Sequence, residues 1–264
     1  MVVFGLYSTS RSPDSMKKQT PRQTIITFLQ SHIKDKNAVL GLSGGIDSSL
    51  VAFLAAEALG KERVFGILLP SDTNSADDTT YANLVAKTLG IATKTIAIND
   101  IARQYKSDSN FFSDARSLGN LKARIRMTLL YGNAYEQNAL VLGTGNKTEL
   151  AIGYFTKYGD GGVDLLPIGD LYKAQVRQLA REVGVPNQII DRPPTAGLWE
   201  GQTDEEELGI SYETLDAILK AMNEQKSLDA FTRKDIALVR QRIKETEHKR
   251  QTLPICFLQK PYND

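Results

Sequence analysis

The most constraining feature of this sequence is a regular alternation of short apolar runs with longer segments of helical periodicity. Strands are predicted over residues 37–42, 63–69, 93–98 and 139–143, the first of them buried. Apolar residues recur at helical spacing between and around them, which predicts helices over residues 23–33, 48–59, 77–89 and 120–137. Strands that are apolar throughout, with helices between them, indicate a parallel sheet covered on both faces. The predicted fold is α/β, a three-layer, doubly wound, Rossmann-like parallel sheet.

The second half of the chain adds helices to this sheet. Helices are predicted over residues 171–183, 212–222 and 233–247, and loops over 158–164 and 193–207. We interpret the acidic run 204–207 as a solvated helix start. Residues 1–20 are predicted to be a mobile lead-in. A chain of 264 residues is sufficient for one large domain, so a single domain over 1–264 is expected.

Composition excludes several classes of protein. The formal net charge of +1 gives no sign of a surface for nucleic acid, and one cysteine allows no internal disulfide. The apolar N-terminal run is too short to span a bilayer. We therefore expect a cytoplasmic protein that binds neither membranes nor nucleic acid.

The segment SGGIDSS, residues 43–49, directly follows the first predicted strand and opens a helix. Gly44 and Gly45 allow the backbone to approach a ligand, and successive amides at a helix N-terminus form an anion-binding nest. Hydroxyls of Ser43 and Ser48 can add donors. A carboxylate here, Asp47, would repel a phosphate unless a cation lay between them, and Mg²⁺ is the expected cation.

Other phosphate motifs are absent from the sequence. There is no GxxxxGK[ST] pattern, and the GxGxxG pattern begun by Gly143 and Gly145 has Thr148 at its third glycine position. A glycine turn with a Ser or Asp cap is the structural alternative for a GG pair. The full string after an apolar strand favours a phosphate site.

This string resembles the pyrophosphate-binding motif of the N-type ATP pyrophosphatases, which transfer AMP from ATP to a carboxyl or carbonyl oxygen. The second half of the chain is similar to the ammonia-dependent NAD synthetases within that class. The similarity rests on six segments: NLKARIRMTLLY (120–131), LVLGTGNKTE (140–149), FTKYGDGGVDLLPIGDLYK (155–173), RPPTAGLW (192–199), DEEELGISY (204–212) and TEHKR (246–250). They occur in that family's order and, with the loop, cover nearly the whole chain after the first few dozen residues.

The resemblance implies a ligase that forms a C–N bond in the last step of NAD biosynthesis. The nicotinate carboxylate of deamido-NAD would attack ATP, pyrophosphate would leave, and ammonia would then displace AMP to give NAD. Adenylation is chemically necessary because a free carboxylate has no good leaving group. The resemblance also implies a homodimer and, because no glutaminase domain is expected, free ammonia as the nitrogen source.

The resemblance assigns roles to individual residues. Those expected to bind ATP are Gly41, Leu42, Ser43, Gly44, Gly45, Ile46, Asp47, Ser48, Thr144, Lys173 and Thr195. Asp47 and Glu149 are expected to hold Mg²⁺, and Asp47 and Lys173 to serve catalysis. Those expected to bind deamido-NAD are Arg124, Lys157, Asp164, His248 and Lys249.

One region departs from the family pattern. In some relatives an arginine and a glutamine in the loop after the second strand contact the adenosine of ATP, but the loop here, LPSDTNSADD, has no arginine. Asp72, Asn74 and the backbone near Leu69 are the candidates for this role. Arg126 is interpreted as a surface charge. Two alternatives stay open: another ATP pyrophosphatase, GMP synthetase-like or tRNA-modifying, and a non-catalytic ATP-binding module.

Overall fold

The computed structural model describes residues 19–109, 111–195 and 203–257. Its centre is a sheet of four parallel strands in the order β3-β2-β1-β4. The strands are β1 (Asn37–Gly41), β2 (Val64–Leu68), β3 (Ala92–Thr95) and β4 (Ala139–Leu142). Each lies within or close to a predicted strand, so the parallel α/β class is confirmed.

Helices cover both faces of the sheet. Those before the fourth strand are α1 (Pro21–Ile33), α2 (Ile46–Leu59), α3 (Ala76–Leu89), α4 (Asn99–Ser109) and α5 (Ala115–Glu136). Those after it are α6 (Lys147–Ile152), α7 (Lys173–Val183), α8 (Asn187–Ile190), α9 (Asp204–Leu208), α10 (Tyr212–Asn223) and α11 (Arg233–Glu245).

Separate apolar cores lie on the two sides of the sheet. On one side α1, α2, α3 and α7 pack around fully buried side chains such as Leu29, Leu50 and Val176. On the other side α4 and α5 pack on Val39, Ile67 and Val141. The two cores alternate along β1, since Val39 belongs to one and Leu40 to the other. The layers are therefore helix, sheet and helix, as predicted.

The C-terminal helices form a third core beside the sheet. Helices α6, α9, α10 and α11 bury Ile152, Leu208, Ile218 and Val239 together. This core holds the second half of the chain against the carboxyl end of β4. The C-terminal helices predicted from the sequence are thus confirmed, α9 lies at the predicted helix start, and the short helices α6 and α8 add to them.

Several predicted boundaries were wrong. Helix α5 begins at Ala115 rather than residue 120, because the Asp114 carboxylate caps it by accepting from the Ser117 amide at 2.8 Å. Helix α4, which is polar over most of its length, was not predicted, and α9 starts inside the loop predicted over 193–207. The lead-in of residues 1–20 lies outside the described residues except for its last two, and Thr20 caps α1.

The strand order fixes where a ligand can bind. The chain moves from β1 outward through β2 to β3, and then returns to place β4 on the other side of β1. The connections beyond the carboxyl ends of β1 and β4 therefore diverge, and a crevice opens between them. No helix among the described residues is long and apolar enough to cross a membrane.

Candidate active site

A cavity of about 410 Å³ opens at the carboxyl ends of β1, β2 and β4. Most of the residues expected to bind ATP line it: Gly41, Leu42, Ser43, Gly45, Ile46, Asp47, Ser48, Thr144, Lys173 and Thr195. Glu149 and Lys249 line it as well. The fold therefore brings together residues that lie up to about two hundred positions apart in the sequence.

The loop that follows β1 is organised by two serine hydroxyls. Ser43 Oγ lies 2.9 Å from Ser48 Oγ and accepts from the Gly45 amide at 3.2 Å. Helix α2 begins at Ile46, two residues before its predicted start, and its N-cap is Gly45, which has no side chain to cap the first turn. The amides of this turn are therefore available for an anion, where the helix dipole also favours negative charge.

Gly44 permits the loop to lie against α3. Its φ of 81° is in the left-handed region, and a Cβ added there would lie 2.2 Å from the Asp78 carbonyl oxygen. Only glycine fits this contact. The loop that contains Gly44 and the start of α3 are consequently packed together.

A buried ion cluster lies beside the loop. Lys173 Nζ, on a side chain only 2% exposed, is 2.6 Å from Asp47 Oδ2 and 3.1 Å from Glu149 Oε1. Burial by itself lowers the pKa of Lys173, but the two carboxylates raise it overall. Burial raises the pKa of Glu149 to about 7, with Lys173 opposing the rise and Asp47 adding to it. Two carboxylates thus share one buried ammonium.

Helix α6 fixes both acidic partners of this cluster. Asn146 is its N-cap and forms a capping box with Glu149, whose amide donates to Asn146 Oδ1 at 3.1 Å. The other end of the Asn146 amide donates to Asp47 Oδ1 at 2.9 Å. Asn146 was not among the predicted site residues, although N-x-x-E is a recognisable capping signature.

A second buried network supports the backbone of Lys173. The Thr148 hydroxyl accepts from the Lys173 amide at 3.1 Å and donates to Asp216 Oδ1. Asp216, on α10, also accepts from the Ala174 amide at 2.9 Å. Lys173 is the first residue of α7, whose N-cap position is the non-capping Tyr172, so the capping carboxylate comes from another helix.

The acidic run at 204–207 is a helix start, but the solvated location predicted for it is wrong at its first residue. Asp204 is only 4% exposed and accepts from the Tyr212 hydroxyl at 2.9 Å and the Tyr154 hydroxyl at 3.2 Å. Burial raises the pKa of Asp204, while the nearby Lys173 ammonium lowers it. The Tyr212 ring in turn lies 4.9 Å from Lys173 Nζ. Asp204 therefore completes the wall around the ion cluster.

Four of the five residues expected to bind deamido-NAD lie outside the cavity lining. Three of them form a chain of contacts: Arg124 Nη2 donates to the Lys157 carbonyl at 3.3 Å, and Lys157 Nζ donates to the His248 carbonyl at 2.7 Å. The side chain of His248 is exposed. This cluster, Arg124, Lys157 and His248, is a basic surface separate from the ion cluster.

Asp164 and Lys249 make contacts within the chain. Asp164 accepts from the Val141 amide at 2.8 Å and the Tyr131 hydroxyl at 3.0 Å, and burial with this contact raises the pKa of Tyr131 to about 12. Lys249 Nζ donates to the carbonyls of Gly153 and Phe155 at 2.7 and 2.5 Å. Lys249 thereby fastens the end of the helical C-terminal region to the floor of the cavity.

Arg126 is not a surface charge, contrary to the prediction. Its guanidinium reaches into the loop after β2 and donates to Leu69 O at 3.1 Å, Ser71 Oγ at 3.2 Å and Asn74 Oδ1 at 3.1 Å. The carboxylate of Asp72 is held by Lys122 Nζ at 2.6 Å. The loop that lacks an arginine of its own is therefore bound by cations from α5.

The chain is similar to known proteins over most of its length. The family model described as NAD synthase matches residues 22–253. The NH(3)-dependent NAD(+) synthetase of Archaeoglobus fulgidus is 51% identical over 221 residues, which is 83% of this chain and 87% of that protein.

Two solved structures are similar over most of the chain. The NMN synthetase of Francisella tularensis has a TM-score of 0.83 and 34% identity, covering 91% of this chain and 100% of that one. The NH3-dependent NAD synthetase of Campylobacter jejuni has a TM-score of 0.78 and 34% identity, covering 90% and 98%.

Proposed function

The chain belongs to the NAD synthase family, and we propose on that premise that it amidates deamido-NAD to NAD with ammonia and ATP. It is thus a ligase that forms a C–N bond. The observation that carries the proposal is the Lys173 ammonium held 2.6 Å from Asp47 beside an uncapped helix N-terminus. The family match also decides against the GMP synthetase-like, tRNA-modifying and non-catalytic alternatives.

The residues around Lys173 and Asp47 are suited to the transfer of AMP to a carboxylate. The amides that open α2 and the hydroxyls of Ser43 and Ser48 would hold the β- and γ-phosphates of ATP. Lys173 would neutralise the charge that develops on pyrophosphate as its bond to the α-phosphorus breaks. The adenylate so formed has AMP as its leaving group, and ammonia displaces it to form the amide.

The carboxylates of Asp47 and Glu149 could bind Mg²⁺ together with the phosphates of ATP. The described residues contain no cluster of three or more His, Cys, Asp or Glu side chains that could hold a metal alone. Asp47 and Glu149, with side chains 18% and 16% exposed, offer two carboxylates, and Mg²⁺ commonly binds to one or two carboxylates together with phosphate oxygens and water. Bound there with ATP, Mg²⁺ would supply further neutralisation of the phosphate charge.

The basic cluster of Arg124, Lys157 and His248 is proposed to bind deamido-NAD. Its separation from the cavity lining suits a dinucleotide that reaches from the ion cluster to the protein surface. We further propose a homodimer, supported by large exposed aromatic side chains on and before α5, namely Tyr105, Phe111 and Tyr135. The single-domain organisation over 1–264 and the cytoplasmic location stay predictions.

One relative suggests a second substrate. The structure from Francisella tularensis is named as an NMN synthetase, and its TM-score to this chain is 0.83. Against it stands the greater sequence identity, 51%, to an NAD(+) synthetase. The mononucleotide substrate therefore belongs in the same assay.

The test is a product analysis by chromatography. Protein is incubated with ATP, Mg²⁺ and deamido-NAD, with ammonium or glutamine in parallel, and with nicotinate mononucleotide as an alternative substrate. NAD, AMP and pyrophosphate should form in equal amounts with ammonium. Formation of ADP would exclude the adenylate, and amidation of the mononucleotide alone would reassign the substrate.

A matched pair of lysine variants links the activity to the site. Lys147 and Lys173 each begin a helix and each pair with a carboxylate, but the partner of Lys147 is Asp170, which is 95% exposed. Lys173→Met should abolish AMP release, whereas Lys147→Met should leave it nearly unchanged. Equal effects of the two changes would contradict the role given to Lys173.

A further inference from the structure

The loop that follows β2, residues 69–75, is held by side chains from outside it, and Arg126 contacts three of its residues. Arg126, on α5, donates to the carbonyl, hydroxyl and amide oxygens of Leu69, Ser71 and Asn74, more than fifty residues earlier in the chain. All three acceptors are neutral. Among the described residues no carboxylate forms an ion pair with Arg126, and Asp160 and Asp78 act on its charge only from a greater distance. Its contacts therefore define the shape of a backbone segment.

Asn74 connects this loop to the start of α3 by hydrogen bonds. Its Oδ1 accepts from the Ser71 amide at 2.9 Å as well as from Arg126, and its Nδ2 donates to Asp78 Oδ2 at 3.0 Å. Asp78 is buried, caps the first turn of α3 through Ser75, and pairs with Arg192 at 2.6 Å. Asp78 is also the residue against which Gly44 of the phosphate loop packs. A connected path thus runs from Arg126 to the loop that holds the phosphates.

The same segment borders the part of the cavity that suits a base. On the β2 side the wall combines apolar and backbone groups of Ile67, Leu69, Pro70 and Ala82 with the polar side chains of Asn74, Asp78 and Arg126, while on the β4 side it carries Glu149, Asp160 and Lys249. A mostly apolar lining with a few fixed polar groups is typical of small-molecule sites. A nucleotide with its phosphates on α2 would therefore place its base over β2, against residues 69–74.

We propose that Arg126 is a positioning residue that sets the selectivity of the site for the adenosine half of ATP, by holding residues 69–74 in their observed shape. This inference rests on the proposed function for the identity of the nucleotide. Arginine is required because its planar fork reaches three acceptors at once, which a lysine ammonium on a flexible stem cannot reproduce.

The test measures nucleotide binding, so that it does not depend on turnover. Dissociation constants for a non-hydrolysable ATP analogue and its guanine counterpart are measured by calorimetry for the wild type, Arg126→Lys and Arg126→Met. Both variants should bind the ATP analogue at least about tenfold more weakly and discriminate less against guanine. If Arg126→Lys keeps wild-type affinity and selectivity, charge alone suffices and the proposal is wrong.

A double-mutant cycle separates positioning from direct contact. Asn74→Ala should weaken ATP-analogue binding, and adding it to Arg126→Met should cost little more, because both changes release the same segment. Fully additive losses would overturn the proposal. Arg103→Met is the control, since this exposed arginine on α4 pairs only with Asp100 among the described residues.

Once NAD formation is established, steady-state kinetics provide an independent test. The KM for ATP should rise in both Arg126 variants, while the KM for deamido-NAD should change by less than about threefold. A larger rise for deamido-NAD would assign Arg126 to the other substrate. If the wild type makes no NAD but the binding results hold, the proposed function fails and the role of Arg126 stands.

Discussion

Replacing Glu149 by Gln should stabilise the ligand-free protein at alkaline pH while removing its activity. Glu149 is one of two carboxylates that share the buried Lys173 ammonium, and burial raises its pKa from 4.5 to about 7. The folded protein therefore binds this proton more tightly than the unfolded chain does. The stability that Glu149 contributes is fully present below pH 4.5 and is lost as the pH rises to about 7.

The change in the free energy of unfolding can be estimated from the rise in the pKa of Glu149. At about 1.36 kcal/mol per pKa unit, a rise of this size corresponds to about 3 kcal/mol above pH 7. Glutamine resembles the protonated acid and can keep the capping box with Asn146, so Glu149→Gln should avoid this loss. For a chain of this length the melting temperature at pH 8.5 should rise by about 5 °C.

Thermal unfolding followed by circular dichroism, in EDTA at pH 5 and pH 8.5, measures this difference. The variant and the wild type should melt at similar temperatures at pH 5 and diverge at pH 8.5. Adding Mg²⁺ with ATP should stabilise the wild type more than the variant. Glu213→Gln, an exposed change on α10, is the control and should show no such divergence. A variant that melts lower than the wild type at pH 8.5 would refute the reasoning.

Three further changes test other parts of the site. Asp47→Asn should remove AMP release with little loss of stability, and retained activity would contradict its assignment to the metal. Asp204→Ala should lower the free energy of unfolding in denaturant by about 1–2 kcal/mol, because the buried Tyr212 hydroxyl loses its acceptor at 2.9 Å, whereas exposed Glu206→Ala should change it by less than about 0.5 kcal/mol. Gly153→Ala should lower the melting temperature, since φ is 66° and a Cβ would lie 2.2 Å from Thr246 Cβ. Gly132→Ala, at a position in α5 with no atom within 4 Å of the added Cβ, should raise it slightly.

The sheet could be predicted because its signals are local. Strands β1, β2 and β4 lie in apolar runs, and glycines 60 and 90 end the helices before β2 and β3. Helix α4 was missed because only Ala102 of its eleven residues is buried, so its sequence lacks an apolar stripe. The early start of α5 depends on the Asp114 cap and could have been found from that residue type.

The candidate site could be predicted only where a motif carries it. The phosphate loop is a contiguous string, and Lys173 and Glu149 came from the family resemblance. Asp204, Asp216 and Arg126 acquire their roles through contacts with residues far away in the sequence. A charged residue in a helix looks the same in sequence whether it faces solvent or a buried partner, so composition and periodicity could not assign them.

The outer edge of the sheet limits how copies of this chain can associate. Within the part of the chain that the structure describes, strand β3 pairs only with β2, and its residues, Ala92 to Thr95, are all exposed and include Lys94. A short edge strand that carries a lysine is a poor template for pairing with another strand, because the charge would have to be desolvated. Two copies are therefore not expected to join their sheets along β3, and the helical surfaces, including α5, are left for assembly.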